Sequence, residues 1–191
     1  CFERNVLARS LSEELGIKTV ILVSRWDYYV NSKSRNGITD ASLKTVNLSK
    51  AREIYSSAVF GTAASYAEIP TQLVVLLQVP HQKVNIKRVI EEMMKLPDVG
   101  SRKQLLLDSK NSFLTLNQHY DRQKIANGAW LKAAESFAHT MVIIEPADYL
   151  CSEGVCPFMD NVTSFYYDDN HLSLAGMERL QNVFEQILVR R

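Results

Sequence analysis

The stretch TQLVVLLQVP at residues 71–80 decides how this chain is read. Five consecutive apolar residues, Leu73 to Leu77, stand where a half-buried strand would alternate apolar with polar. A run that is apolar throughout is a strand covered on both faces, as in a parallel sheet. Two further runs have the same character: KTVILVS at 18–24 and HTMVIIEP at 139–146. Each is preceded by a segment with helical spacing, at about 3–15, about 49–66 (Ala51, Ile54, Tyr55, Ala58 and Val59 on one side) and about 118–137. The amphipathic piece VNIKRVIEEMMKLP follows the second strand. Helices alternating with apolar strands predict βαβ units in an open, doubly wound α/β sheet, whose sites form at the C-terminal ends of the strands.

The loops at those ends carry the chemistry-bearing residues. SRWDYY (24–29) follows the first strand, VPHQ (79–82) the second, and YLCSEGVCPF with DDNH the third. The polar, turn-rich stretch 30–49 reads as a surface excursion. A chain of 191 residues, 46% of them hydrophobic, is sized for a single domain over 1–191. Its 22 basic and 21 acidic residues nearly cancel, which argues against a nucleic-acid partner. No apolar stretch approaches the roughly 20 residues that span a bilayer, and the N-terminus has no export-signal pattern. Because the sequence opens on Cys1 without a Met, it is read as a processed product, an excised domain or the C-terminal portion of a longer protein.

Cys151 and Cys156 flank a short loop centred on a glycine. A disulfide-closed loop and a metal site are both open to such a pair; with no second Cys pair and no His cluster nearby, the disulfide is favoured, and with it an oxidising compartment. No metal and no organic cofactor is called for.

The segment FYYDDNHLSLAGMERL at 165–180 holds the sharpest signal. His171 precedes a helix expected over 172–189 from the apolar spacing of Leu172, Leu174, Met177, Leu180, Val183, Phe184, Ile187 and Leu188. A general-base imidazole needs one nitrogen free and the other held by a carboxylate. Asp168, three residues before His171, can hold it; the plainer reading is that Asp168, Asp169 and Asn170 only cap the helix. His81, His119 and His139 have no acid at fitting spacing and read as structural or exposed.

Taken in order, the strand ending in VSRWDYY, the strand ending in VP, the C-x4-C loop and DDNHLSLAG resemble the SGNH hydrolase-like domain fused to, or partnered with, membrane acyltransferases of family 3, the O-antigen acetylase type. The resemblance implies a flavodoxin-like three-layer α/β/α fold and acyl transfer to or from sugar hydroxyls through a serine nucleophile. It implies His171 as catalytic base and Asp168 as its orienting carboxylate, with Ser173 and Gly176 shaping the turn. It also implies a periplasmic or extracytoplasmic location, a polysaccharide acceptor, an acyl donor and a membrane acyltransferase domain as partners.

Two departures from the family pattern stand out. No Gly-Asp-Ser motif occurs; Ser10, Ser12, Ser56 and Ser57 fall in expected helices, and Ser101 follows no strand. The first strand and nucleophile loop are therefore expected before Cys1. The usual Asn of the oxyanion hole is also absent, which makes Arg25 the candidate donor, against a surface pairing with Asp27. Trp26 is the candidate stacking residue for a sugar ring, against a core role. The alternative function is a non-catalytic glycan-binding or scaffolding domain.

Overall fold

The computed structural model describes residues 2–31, 38, 46–108, 112–160 and 163–189. In chain order the elements are α1 (Phe2–Glu14), β1 (Thr19–Val23), α2 (Asp27–Asn31), α3 (Leu48–Ala67), β2 (Gln72–Leu76), α4 (Ile86–Met94), α5 (Val99–Asp108) and β3 (Leu114–Thr115). There follow α6 (Leu116–Ser136), β4 (Met141–Ile144), α7 (Ala147–Leu150), β5 (Val155–Cys156), β6 (Met159–Asp160), β7 (Thr163–Ser164), α8 (Leu174–Glu178) and α9 (Gln181–Val189). They group into two compact units, one of residues 1–78 and 122–144, the other of 79–121 and 145–191.

The first unit is built on a parallel sheet of order β1-β2-β4. All three strands expected from the apolar runs are present. Register places Val20, Leu73 and Met141 in one row and Leu22, Val75 and Ile143 in the next, all on one face. That face packs against Tyr55, Val59, Ala63 and Tyr66 of α3 and Ala126, Trp130 and Ala133 of α6. The i, i+4, i+8 and i, i+4, i+7 spacings of these residues form helical stripes, so period 2 in the strands meets period 3.6 in the helices. Leu73, Val74 and Val75 are essentially inaccessible, each contributing about 1.5–3 kcal/mol by burial.

Two expectations are corrected here. Ala58, placed by spacing on the buried side of α3, is exposed, because the buried stripe runs through Ala51, Tyr55, Val59, Ala63 and Tyr66. The first strand is only half buried, with Val23 65% exposed; among the described residues β1 pairs with β2 alone, as an edge. Of the excursion at 30–49, residues 32–37 and 39–45 lie outside the described residues, and its ends are helical: α2 closes at Asn31 and α3 opens behind Asn47, whose side chain accepts from the Lys50 amide.

The second unit has its own core, in which Ile86 and Met93 of α4 and Leu106 of α5 meet Phe113, Phe158, Met159, Phe165 and Tyr166. Phe113 and Phe158 pack edge to face at 5.1 Å between centroids. Two short antiparallel ladders, β3 with β5 and β6 with β7, support it.

The basic stretch GSRKQ, residues 100–104, lies in α5. Asp98 caps that helix, accepting from the Ser101 amide at 2.9 Å and the Ser101 hydroxyl at 2.7 Å. The single closing helix expected over 172–189 is broken into α8 and α9. Around the break the ladder tightens to i→i+3 bonds, Leu180 N–H to Met177 O at 2.9 Å and Val183 N–H to Leu180 O at 3.1 Å. This turn buries Leu180 and sets the Arg179 guanidinium 4.1 Å over the Phe165 ring.

Candidate active site

Residues 166–172 form a closed loop whose tip is Asp168-Asp169-Asn170-His171. Tyr166 and Leu172 bridge antiparallel, and the Tyr167 amide donates to His171 O at 2.8 Å. Inside the loop, Asp168 Oδ1 accepts from the amides of Asn170 (2.9 Å) and His171 (2.8 Å), the self-bonding for which Asp is favoured in turns. Its other oxygen, Oδ2, lies 2.7 Å from His171 Nδ1. A carboxylate only accepts, so the proton sits on Nδ1 and the lone pair on Nε2. His171 is 72% exposed at its side chain, and Nε2 makes no hydrogen bond among the described residues. Desolvation pushes the Asp168 carboxyl up, but the Asn170 amide and the imidazole and amide of His171 outweigh it and hold Asp168 below the usual carboxylate range. The arrangement is that of an oriented, accessible base.

The segment after the loop anchors it. Ser173 is the N-cap of α8; its hydroxyl accepts from the Gly176 amide at 3.2 Å and donates to Ser164 O at 2.6 Å. The Ser173 amide donates to Phe165 O at 3.0 Å. Gly176 passes so close that a Cβ there would stand 2.0 Å from that same carbonyl oxygen. Ser173 and Gly176 thus hold the loop's exit against its entry, and neither is placed to react.

His81 and His119, for which sequence spacing offered no acid, both have one. Asp169 Oδ2 lies 2.9 Å from His81 Nε2, and the Gln82 amide donates to Asp169 O at 2.7 Å. His119, fully buried, has Nε2 3.5 Å from Glu145 Oε1. The partners are distant in sequence, so no local spacing could reveal them. His139 is exposed, as expected. A cleft of about 340 Å³ is lined by residues 82–86 and by Asp168 and Asp169, so the dyad's carboxylate forms part of its wall.

Arg25 and Trp26 belong to the first unit, Asp168 and His171 to the second. Arg25 is 44% exposed at its side chain, with Nε 3.5 Å from Asp27 Oδ1. The buried Asp27 is also held by Arg122, whose Nε donates to Oδ2 at 2.9 Å. Trp26 is buried, donates from Nε1 to Leu76 O at 2.8 Å and meets Trp130 edge to face at 5.0 Å. Both residues therefore have the pairing and core contacts weighed against their ligand roles. Cys151 and Cys156 are joined by a disulfide across a turn in which Glu153 (φ 51°) and Gly154 (φ 78°) are left-handed. Among the described residues no group of three His, Cys, Asp or Glu side chains is placed to hold a metal ion. No helix among them is long and apolar enough to cross a membrane.

No serine among the described residues hydrogen-bonds His171 Nε2; Ser10 and Ser12 lie in α1, Ser56 and Ser57 in α3, and Ser101 in α5. The chain matches, over residues 1–186, the family described as the SGNH domain fused to AT3 domains. No curated protein and no solved structure matches it. The match covers nearly the whole chain, takes in both the parallel sheet and the loop carrying Asp168 and His171, and agrees with a hydrolase or acyltransferase kind of domain. This chain belongs to the SGNH domain family found fused to AT3 domains.

Proposed function

We propose that the chain is the SGNH-type domain of an O-acyltransferase or acyl-esterase, working at the extracytoplasmic face of a bacterial membrane on hydroxyls of a cell-surface polysaccharide. The observation that carries this reading is the 2.7 Å contact of Asp168 Oδ2 with His171 Nδ1, which leaves Nε2 exposed. In this mechanism a serine from outside the described residues attacks the acyl carbonyl and its proton passes to Nε2. Asp168 stabilises the imidazolium, which then protonates the departing group to leave an acyl-serine. A sugar hydroxyl next gives its proton to Nε2 and attacks the acyl-serine, restoring the serine; water in its place makes the same site an esterase. His171 and Asp168 thus act twice per turnover, in one geometry.

The test is the acyl content of the envelope polysaccharide, measured by NMR in cells producing the whole membrane-anchored protein. His171→Ala abolishes acylation, and Asp168→Asn lowers the rate by about 10²–10⁴-fold, the range seen when the orienting carboxylate of a serine triad is neutralised. Acylation undiminished in His171→Ala would sink the reading. The rival reading is a glycan-binding domain without catalysis. That rival predicts unchanged acylation in His171→Ala and polysaccharide binding to the isolated chain in calorimetry.

A further inference from the structure

Two consecutive carboxylates in the loop each hold a different histidine. Asp168 holds His171 within the loop; Asp169 reaches out of it to His81, just beyond β2. The two pairs differ in burial. His171 is 72% and Asp168 39% exposed at the side chain, whereas His81 is only 7% exposed. An ion pair as open as the first holds its own geometry weakly, because two mobile side chains in water gain little from meeting. A buried imidazole is a fixed point, since its polar atoms must stay paired and its ring is packed.

The grip on Asp169 is double. His81 Nε2 faces its carboxylate at 2.9 Å, and the next residue's amide, of Gln82, donates to its carbonyl at 2.7 Å. Gln82 is in turn buried and tied from its side-chain Nε2 to Cys156 O at 3.3 Å. Side chain and main chain of Asp169 are both fixed to the segment leaving the central strand. Asp168 is one peptide bond away, so what fixes Asp169 also fixes where Asp168 presents its oxygens.

We propose that His81 is a positioning residue for the dyad: through Asp169 it holds the 168–171 loop so that Asp168 Oδ2 meets His171 Nδ1. This rests on the dyad reading above, and the same experiment separates the two. The probe is the imidazole ¹H–¹⁵N NMR spectrum of the 191-residue chain, taken at low temperature, where exchange with water is slowed and a carboxylate-bound Nδ1–H gives a downfield proton. The expected result is a His171 Nδ1–H resonance in the wild type that vanishes in Asp168→Ala. It also vanishes in His81→Leu and returns in His81→Gln, whose amide can still donate to Asp169, while all three variants retain the wild-type backbone spectrum in β1, β2 and β4.

Should His81→Leu fail to fold, Asp169→Ala carries the test, because it cuts the same link from its more exposed end and is expected to lose the same resonance. A His171 resonance that persists in His81→Leu or in Asp169→Ala overturns the positioning role and leaves the dyad standing. A wild-type spectrum lacking any Asp168-dependent His171 resonance overturns the dyad and the positioning role together.

Discussion

Gly176→Ala tests whether the loop's exit must lie against its entry. In an open helix this substitution stabilises, by about 1 kcal/mol, because alanine loses less backbone freedom than glycine. At residue 176 the new Cβ would meet Phe165 O at 2.0 Å and Phe165 C at 2.9 Å, both backbone atoms. An ordinary carbon–oxygen approach is about 3.3 Å or more, so the helix must move by about 1 Å. Overpacking of this kind costs about 1–3 kcal/mol. The movement also breaks the 3.0 Å bond from the Ser173 amide to Phe165 O, worth about another 1 kcal/mol. Set against the propensity gain, the net expectation is a loss of about 1–3 kcal/mol.

Chemical denaturation followed by fluorescence measures it, with Gly61→Ala in α3 and Gly128→Ala in α6 as controls. Nothing lies within 4 Å of a Cβ at either control position, so each is expected to stabilise by about 0.5–1 kcal/mol. Gly176→Ala behaving like those controls would refute the close approach, and with it the role assigned to the LSLAG segment.

Two further outcomes follow from the same unit. Reducing the Cys151–Cys156 bond, which spans a sequence separation of 5, lowers stability by about 2 kcal/mol by freeing a small loop in the unfolded chain; equal denaturation midpoints with and without reductant would contradict this. Asp168 is held below its ordinary value of 3.8 in the folded state. Its contribution to stability is therefore full above that value and lost as pH falls through the lower folded one. Thermal melts of wild type and Asp168→Asn should differ near neutral pH and converge in acid; a gap that widens in acid would reverse the sign.

Much of the fold was legible because its signals are local. The apolar runs at 18–24, 71–80 and 139–146 gave the parallel strands, since burial on both faces leaves no room for alternation. Asp168 and His171 were legible for the same reason: three residues within one turn suffice to pair them. What escaped is non-local. His81 finds Asp169 across 88 residues, and Arg122 finds Asp27 across 95. The break between α8 and α9 was hidden because no Pro or Gly marks it; it depends on burying Leu180 and stacking Arg179 on Phe165. The helix α5 carried a readable cap in Asp98 and Ser101, yet its apolar residues Leu105, Leu106 and Leu107 are contiguous and show no helical period.

The arginine pair on Asp27 gives the first unit a spare counter-charge. Stripping a buried carboxylate of its last partner costs several kcal/mol, which normally immobilises that partner. Among the described residues Asp27 has the guanidinium groups of Arg122 and Arg25 beside it, and they are unequal: Arg122 donates a hydrogen bond at 2.9 Å, while Arg25 stands off at 3.5 Å with nearly half of its side chain in solvent. If Arg25 moves, the 2.9 Å bond from Arg122 still pairs Asp27. The cation that follows β1 is thereby the looser of the pair, while the 2.9 Å bond from Arg122 holds the buried carboxylate.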